Sequence, residues 1–246
     1  MIRLDKFLTE CGAGTRSEVK KYIKAKQIRV NGVMAEKPEM KIEEASDVVE
    51  WNGKVLKYQK FHYYMFHKPA GCVTALKDNI HKTVIEYFPE EMRKNLSPVG
   101  RLDLDTEGIL LFTDDGAWNH HLMSPAHHIE KTYYAVLDKK VPQEAVELFE
   151  KGIDIGDEKP TLPAKLSILD PVLCCNTQGN QGELYVAELT LQEGRFHKVK
   201  RMFQAVGCQV TYLKRISIGS LTLGDLAPGE FRELTEEEVL ILSKNE

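Results

Sequence analysis

The chain has 246 residues, 42% of them apolar and 28% charged, with a formal net charge of −4. That size and balance suit a protein that buries a sizeable core, which excludes disordered, collagen-like and disulfide-scaffold classes. No run of about 18 apolar residues is present to span a bilayer, so no membrane is expected as a partner, and the charged start Met1-Ile2-Arg3-Leu4-Asp5-Lys6 lacks the apolar centre of a secretion signal. The five cysteines (Cys11, Cys72, Cys174, Cys175, Cys208) are odd in number, two are adjacent, and none stands in C-x-x-C spacing. They read as free buried thiols in a reducing cytosol, not as a zinc site.

In chain order, Leu4, Phe7, Leu8 and Cys11 form one helical stripe that Cys11-Gly12-Ala13-Gly14 ends. Thr15-Arg16-Ser17-Glu18 has the form of a capping box opening a second helix, with Val19 and Ile23 inward and Lys20, Lys21 and Lys24 largely off that face. Ile28 and Val30 alternate into Asn31-Gly32, and a second Asn-Gly at 52–53 separates two more apolar pairs, both hairpin signals. Residues 1–58 thus read as a compact module of two short helices and a small β element. After the polar bridge 57–60 the spacing predicts strands at 61–66, 108–112, 131–137, 164–169 and 184–191. Helices are predicted at 142–151, at 199–206 and after Thr235. Strands dominate without a regular βαβ beat, which gives an α+β class with a mixed, mostly antiparallel domain over 59–246.

Charge is unevenly spread. Residues 1–31 hold eight Lys/Arg against three Asp/Glu; residues 195–215 hold six Lys/Arg and no acid; residues 223–246 hold seven acids against two bases. Two concentrated basic segments in an acidic chain suit contact with a polyanion, although a pair of solvated helix faces would read the same way.

The sequence holds no Walker loop, G-x-G-x-x-G, G-x-S-x-G or H-E-x-x-H, which argues against nucleotide hydrolysis, dinucleotide redox and serine hydrolysis. His120-His121 and His127-His128 are separated by Ser124-Pro125 and read as surface or capping histidines, not metal ligands. The densest segment is 99–113, where Arg101, Asp103 and Asp105 sit between glycines ahead of an apolar strand. It fits either a solvated turn or a carboxylate nucleophile or base held on a loop by that strand.

Gly100-Arg101-Leu102-Asp103-x-x-Thr106-x-Gly108-Ile109-Leu110-Leu111 closely resembles the catalytic motif of the RluA/RsuA group of RNA pseudouridine synthases. Lys68-Pro69-x-Gly71 resembles the family's K-P-x-G motif and Glu130-Lys131-Thr132-Tyr133 its tyrosine motif. Residues 193–202 resemble its late basic motif in the form typical of the RsuA branch. Lys198 stands where that branch often has glutamine, and Phe196 where it often has tyrosine or asparagine. The N-terminal module, with Arg3-Leu4-Asp5-Lys6, Thr15-Arg16-Ser17-Glu18 and Val30-Asn31-Gly32, resembles an S4 RNA-binding domain.

The resemblance implies isomerisation of a uridine to pseudouridine without cofactor or metal, after the base leaves its stack. It implies Asp103 as the essential carboxylate, with the covalent course of the reaction left open. Arg101 would fill the vacated stack or hold a phosphate, Tyr133 would stack on the flipped uracil, and Lys200 would pair with Asp103. Leu213, Lys68, Thr106, Arg195 and His197 are expected around the substrate. Arg3, Lys6, Arg16, Lys20, Lys21, Lys24, Arg201 and Arg215, with Arg195, are expected on RNA backbone. The implied substrate is 16S ribosomal RNA in a small-subunit assembly intermediate, at uridine 516, with a cytosolic monomer as the acting species. A 23S target, or a silent RNA-binding assembly factor, are the alternatives.

Overall fold

The computed structural model describes residues 1–44, 46–124, 127–175 and 181–244, with the side chains of 173–175, 181 and 182 outside the description. The chain divides into two compact units, Met1–Phe61 and His62–Glu246.

The first unit runs β1 (Ile2–Arg3), α1 (Leu4–Glu10), α2 (Arg16–Lys24), β2 (Ile28–Val30), β3 (Val33–Met34), β4 (Lys41–Ile42), β5 (Val49–Trp51) and β6 (Lys54–Leu56). The expected stripe is its core: Leu4, Phe7, Leu8, Val19, Ile23, Ile28 and Val30 are buried together. The capping box is present, Thr15 accepting from the Glu18 amide while the Glu18 carboxylate accepts from the Thr15 amide. Both Asn-Gly pairs have positive φ at each residue (52° and 78°; 50° and 80°), as the twist of a two-residue hairpin requires. The strands form a β3-β2-β5-β6 sheet, with β1 and β4 paired beside it.

The second unit contains β7 (Tyr63–Lys68), β8 (Ser97–Val99), β9 (Glu107–Thr113), α3 (Gly116–Met123), β10 (Lys131–Leu137), α4 (Ala145–Lys151), β11 (Lys165–Ile168), β12 (Val172–Cys175), β13 (Gln181–Leu191), α5 (Lys198–Ala205), β14 (Val210–Ile218), β15 (Leu221–Thr222), β16 (Phe231–Glu233) and α6 (Glu236–Ser243). Its sheet has the order β11-β13-β10-β14-β9-β7-β16. Among the described strands every named pairing is antiparallel except β14 on β9, where Lys214 faces Glu107 and Arg215 faces Gly108. Successive residues of β9 point to opposite faces, and both faces are covered. Leu110 and Phe112 pack in a core with Phe149 of α4 and Met202 and Phe203 of α5. Ile109 and Leu111 pack in a second core with Trp118 and Leu122 of α3 and Leu242 of α6.

The helix expected at 142–151 begins at Ala145, after a turn closed from Ala145 N to Pro142 O, and ends at Gly152 (φ 85°). Of the expected buried thiols, Cys72 and Cys208 are buried and Cys11 is only half-buried; the side chains of Cys174 and Cys175 lie outside the described residues. Pro125, which separates the two histidine pairs, also lies outside them. His121 and His127 stack at 3.9 Å. Among the described residues no three His, Cys, Asp or Glu side chains gather as a cation site requires.

Candidate active site

The loop joining β8 to β9 carries Arg101, Asp103, Asp105 and Thr106, and its backbone is stitched from one side by the segment after β7. Lys68, the last residue of β7, is fully buried. Its ammonium donates to the carbonyls of Pro69 (3.1 Å), Asp103 (2.9 Å), Leu104 (3.4 Å) and Thr106 (2.8 Å). Gly71 N donates to Leu104 O at 2.8 Å, and the Thr74 hydroxyl donates to Leu102 O at 2.8 Å while accepting from Leu102 N at 3.1 Å. The K-P-x-G motif is thus a clamp on the carboxylate loop. This corrects the expectation that Lys68 touches substrate: it lies under the loop, and burial pulls its pKa down.

A pocket opens above this loop, lined among others by Arg101, Asp103, Thr106, Lys131, Tyr133, Arg195, His197, Lys200, Leu213 and Arg215. The Asp103 carboxylate is part-exposed and lies 3.4 Å from Lys200 Nζ and 3.6 Å from His197 Nε2. The expected Lys200–Asp103 pair is present, and Lys200 also makes a shorter 2.6 Å hydrogen bond to Asp105 Oδ1. Burial is the largest single influence and pushes the Asp105 carboxyl up, but the Lys200 hydrogen bond and charge, with smaller contributions, together outweigh it and the pKa ends below its usual value. One ammonium therefore serves two carboxylates, and the inner one, Asp103, keeps the looser contact.

Tyr133 stands on β10 directly across from Arg215 of β14. Arg215 Nη1 donates to the Tyr133 hydroxyl at 3.3 Å and its Nε to Ile109 O at 2.7 Å, while its Nη2 is buried with no partner among the described residues. Arg215 is 3% exposed, which corrects its assignment to RNA backbone: on an inward position of a central strand it orders Tyr133 instead. Leu213 and Thr106 are buried in the wall, the Thr106 hydroxyl also with no partner among the described residues. Lys131 precedes Tyr133 by two positions, hence on the same strand face. Burial, then the Arg215 charge, lowers its pKa to about 8. Sequence reasoning gave Lys131 no role, though its alternation with Tyr133 was a signal.

The basic segment 195–215 proves largely occupied within the protein. Arg195 donates to Glu193 (3.1 Å) and to the carbonyls of Lys159 (2.8 Å) and Pro160 (3.0 Å). Lys198 makes a buried 2.8 Å pair with Glu193. Arg201 pairs with Asp157 at 2.6 Å and donates to the carbonyls of Ile155 (2.6 Å) and Phe196 (3.3 Å). These contacts correct the expectation that Arg195 and Arg201 are free for phosphate: Glu193, within the same motif, and Asp157, distant in sequence, pair with them. Arg3 is likewise bonded to buried Asp5 (2.8 Å), and Lys6 lies 3.6 Å from Glu10. By contrast, Arg16, Lys20, Lys21 and Lys24 on α2 are exposed and in no ion pair among the described residues. Arg101 is exposed as well, at the pocket edge.

Residues 62–205 match the family model described as RNA pseudouridylate synthase, and residues 2–49 match the S4 domain. The chain belongs to the RNA pseudouridine synthases, and its first unit carries an S4 domain. It is 39% identical to the ribosomal small subunit pseudouridine synthase A of Escherichia coli K12, over 97% of this chain and 98% of that one. It is 41% identical to a Bacillus subtilis protein named as an uncharacterized RNA pseudouridine synthase, over 99% of both. A solved pseudouridylate synthase, 37% identical, superposes with a TM-score of 0.67 over 98% of this chain and all of the other.

Proposed function

We propose that the protein isomerises uridine 516 of 16S ribosomal RNA to pseudouridine, as a cytosolic monomer acting on a small-subunit assembly intermediate. The observation that carries the subunit assignment is its end-to-end likeness to the small-subunit enzyme of E. coli.

In this reading the C1′–N1 bond of the target breaks, C1′ bonds to C5, and the proton lost from C5 is balanced by one gained at N1. No redox change or group donor enters. Asp103 is the essential carboxylate, flanked by Lys200 at 3.4 Å and His197 at 3.6 Å and aimed by the Lys68 clamp. Tyr133 stacks on the flipped uracil, contributing about 1–3 kcal/mol, with its hydroxyl fixed by Arg215. Leu213 and Thr106 complete the wall, and Arg101 takes the vacated stack or a phosphate. Arg16, Lys20, Lys21 and Lys24 hold RNA backbone, which sets affinity but not the choice of uridine.

The test is carbodiimide-adduct primer extension on ribosomal RNA from cells lacking the gene, rescued with wild type or Asp103→Asn. A 16S stop at uridine 516 restored by wild type alone supports the proposal. A stop restored in 23S RNA moves the site, and no change in either RNA sinks the reading. Purified Asp103→Asn should bind the RNA within a few-fold of wild type while its turnover is lost.

A further inference from the structure

Phe196 is 67% exposed, an unusual place for a phenyl ring beside a pocket. One face of its ring lies on the His197 imidazole, with centroids 3.8 Å apart and planes 17° from parallel. His197 in turn has Nε2 3.6 Å from the Asp103 carboxylate. A two-ring stack therefore leads outward from the proposed catalytic carboxylate and ends in an open aromatic face.

The backbone under the stack is tied down by hydrogen bonds. His197 adopts a left-handed backbone (φ 48°, ψ 30°) as N-cap of α5, a conformation that a residue with a Cβ keeps only when its surroundings impose it. The surroundings do so: Arg201, fixed by Asp157, donates to Phe196 O at 3.3 Å, Arg201 N donates to His197 O at 3.0 Å, and Lys198 N closes the turn on Arg195 O at 3.2 Å. The cations of this motif, occupied inside the protein, thereby present a ring to solvent.

We propose that Phe196 is a stacking platform for an unpaired nucleobase that neighbours the target uridine in the RNA. This rests on the RNA-modifying reading above and adds to it a second base site, outside the uracil pocket. Every nucleobase has a π-face, so the platform accepts an aromatic base without reading its edges. Its occupant is the flanking base, left without one stacking neighbour when the target flips out. The His197 ring beneath it couples occupation of the platform to the carboxylate.

The test uses 16S transcripts carrying an abasic residue on the 5′ or the 3′ side of uridine 516, reconstituted with small-subunit ribosomal proteins. Phe196→Ala, at an exposed position that a folded protein tolerates, should raise Kd for the intact RNA about ten-fold. On one of the two abasic RNAs the wild type should lose the same factor, and Phe196→Ala should lose nothing more. Phe196→Trp should restore tight binding to the intact RNA. Equal losses for Phe196→Ala on intact and both abasic RNAs, or no loss at all, would overturn the platform, since either shows no base on the ring. Wild-type conversion of the intact RNA is scored in parallel. If wild type converts it and no coupling appears, the platform alone falls; if wild type converts none, the parent reading falls with it.

Discussion

At Lys68 a buried cation has no carboxylate partner among the described residues and is satisfied by four carbonyl oxygens. Removing it strands those acceptors, each at a cost of about 1–3 kcal/mol when buried. Lys68→Met is therefore expected to lower stability by on the order of 3 kcal/mol, read as a shift in denaturant midpoint, and to slow turnover because Asp103 loses its backbone anchor. Unchanged stability would show that the clamp is dispensable. Lys131 makes a different prediction. Its folded pKa, about 8, lies below that of the unfolded chain, so between pH 8 and the ordinary lysine value the unfolded state binds more protons and stability rises with pH. The charge burdens the folded state at pH 7, and the burden fades on the alkaline side. Lys131→Met should be more stable than wild type at pH 7, the gap closing as pH climbs through 8 toward 10; melting curves at both ends check it, and a gap independent of pH would contradict it.

Among elements, the legible ones were those whose pattern follows from local chemistry. The capping boxes at Thr15 and Thr235, the Asn-Gly hairpins and the apolar runs of β9 and β10 each carry their own signal, and each formed. β14 was not legible, though it lies at the centre of the sheet. Its Val-Thr-Tyr-Leu-Lys-Arg run was read for charge, and an arginine is a poor indicator of a buried strand until its hydrogen bonds to Ile109 O and Tyr133 are known. α3 was also missed, because Gly116-Ala-Trp-Asn-His-His lacks a clear stripe and its start depends on Asp115 accepting from two amides. The motif residues gather around one pocket, yet which cations face solvent was not legible, since Asp157 meets Arg201 only through the fold and the local Glu193 pairs do not show in a charge count. Gly108 tests the element scale: its φ is +111°, and a Cβ there would lie 2.2 Å from Arg215 O. Backbone cannot yield as a side-chain tip would, so Gly108→Ala should cost more than about 3 kcal/mol or prevent folding, whereas Gly32→Ala, with open space around it, should cost far less. Comparable melting of the two variants would refute the close approach.

For the whole molecule, each unit has a core of its own, with α1, α2 and β2 around Phe7 in one and β9 between its two helical layers in the other. Deleting residues 1–61 should leave 62–246 cooperatively folded while weakening RNA binding and flattening its salt dependence, because the exposed cations of α2 leave with the S4 unit. An unchanged salt slope would assign those cations elsewhere.

Among the described strands, the one parallel join, between β9 and β14, also has a meaning in time. Arg215 meets Ile109 across 106 positions of sequence and Lys200 meets Asp105 across 95, so the pocket is closed by residues far apart in the chain. A ribosome making this protein releases the S4 unit and the carboxylate loop well before β14 clears the exit tunnel. Until that last central strand docks, the nascent chain has an RNA-binding end but an unfinished pocket. Its RNA-holding end is therefore in place before its modifying pocket is.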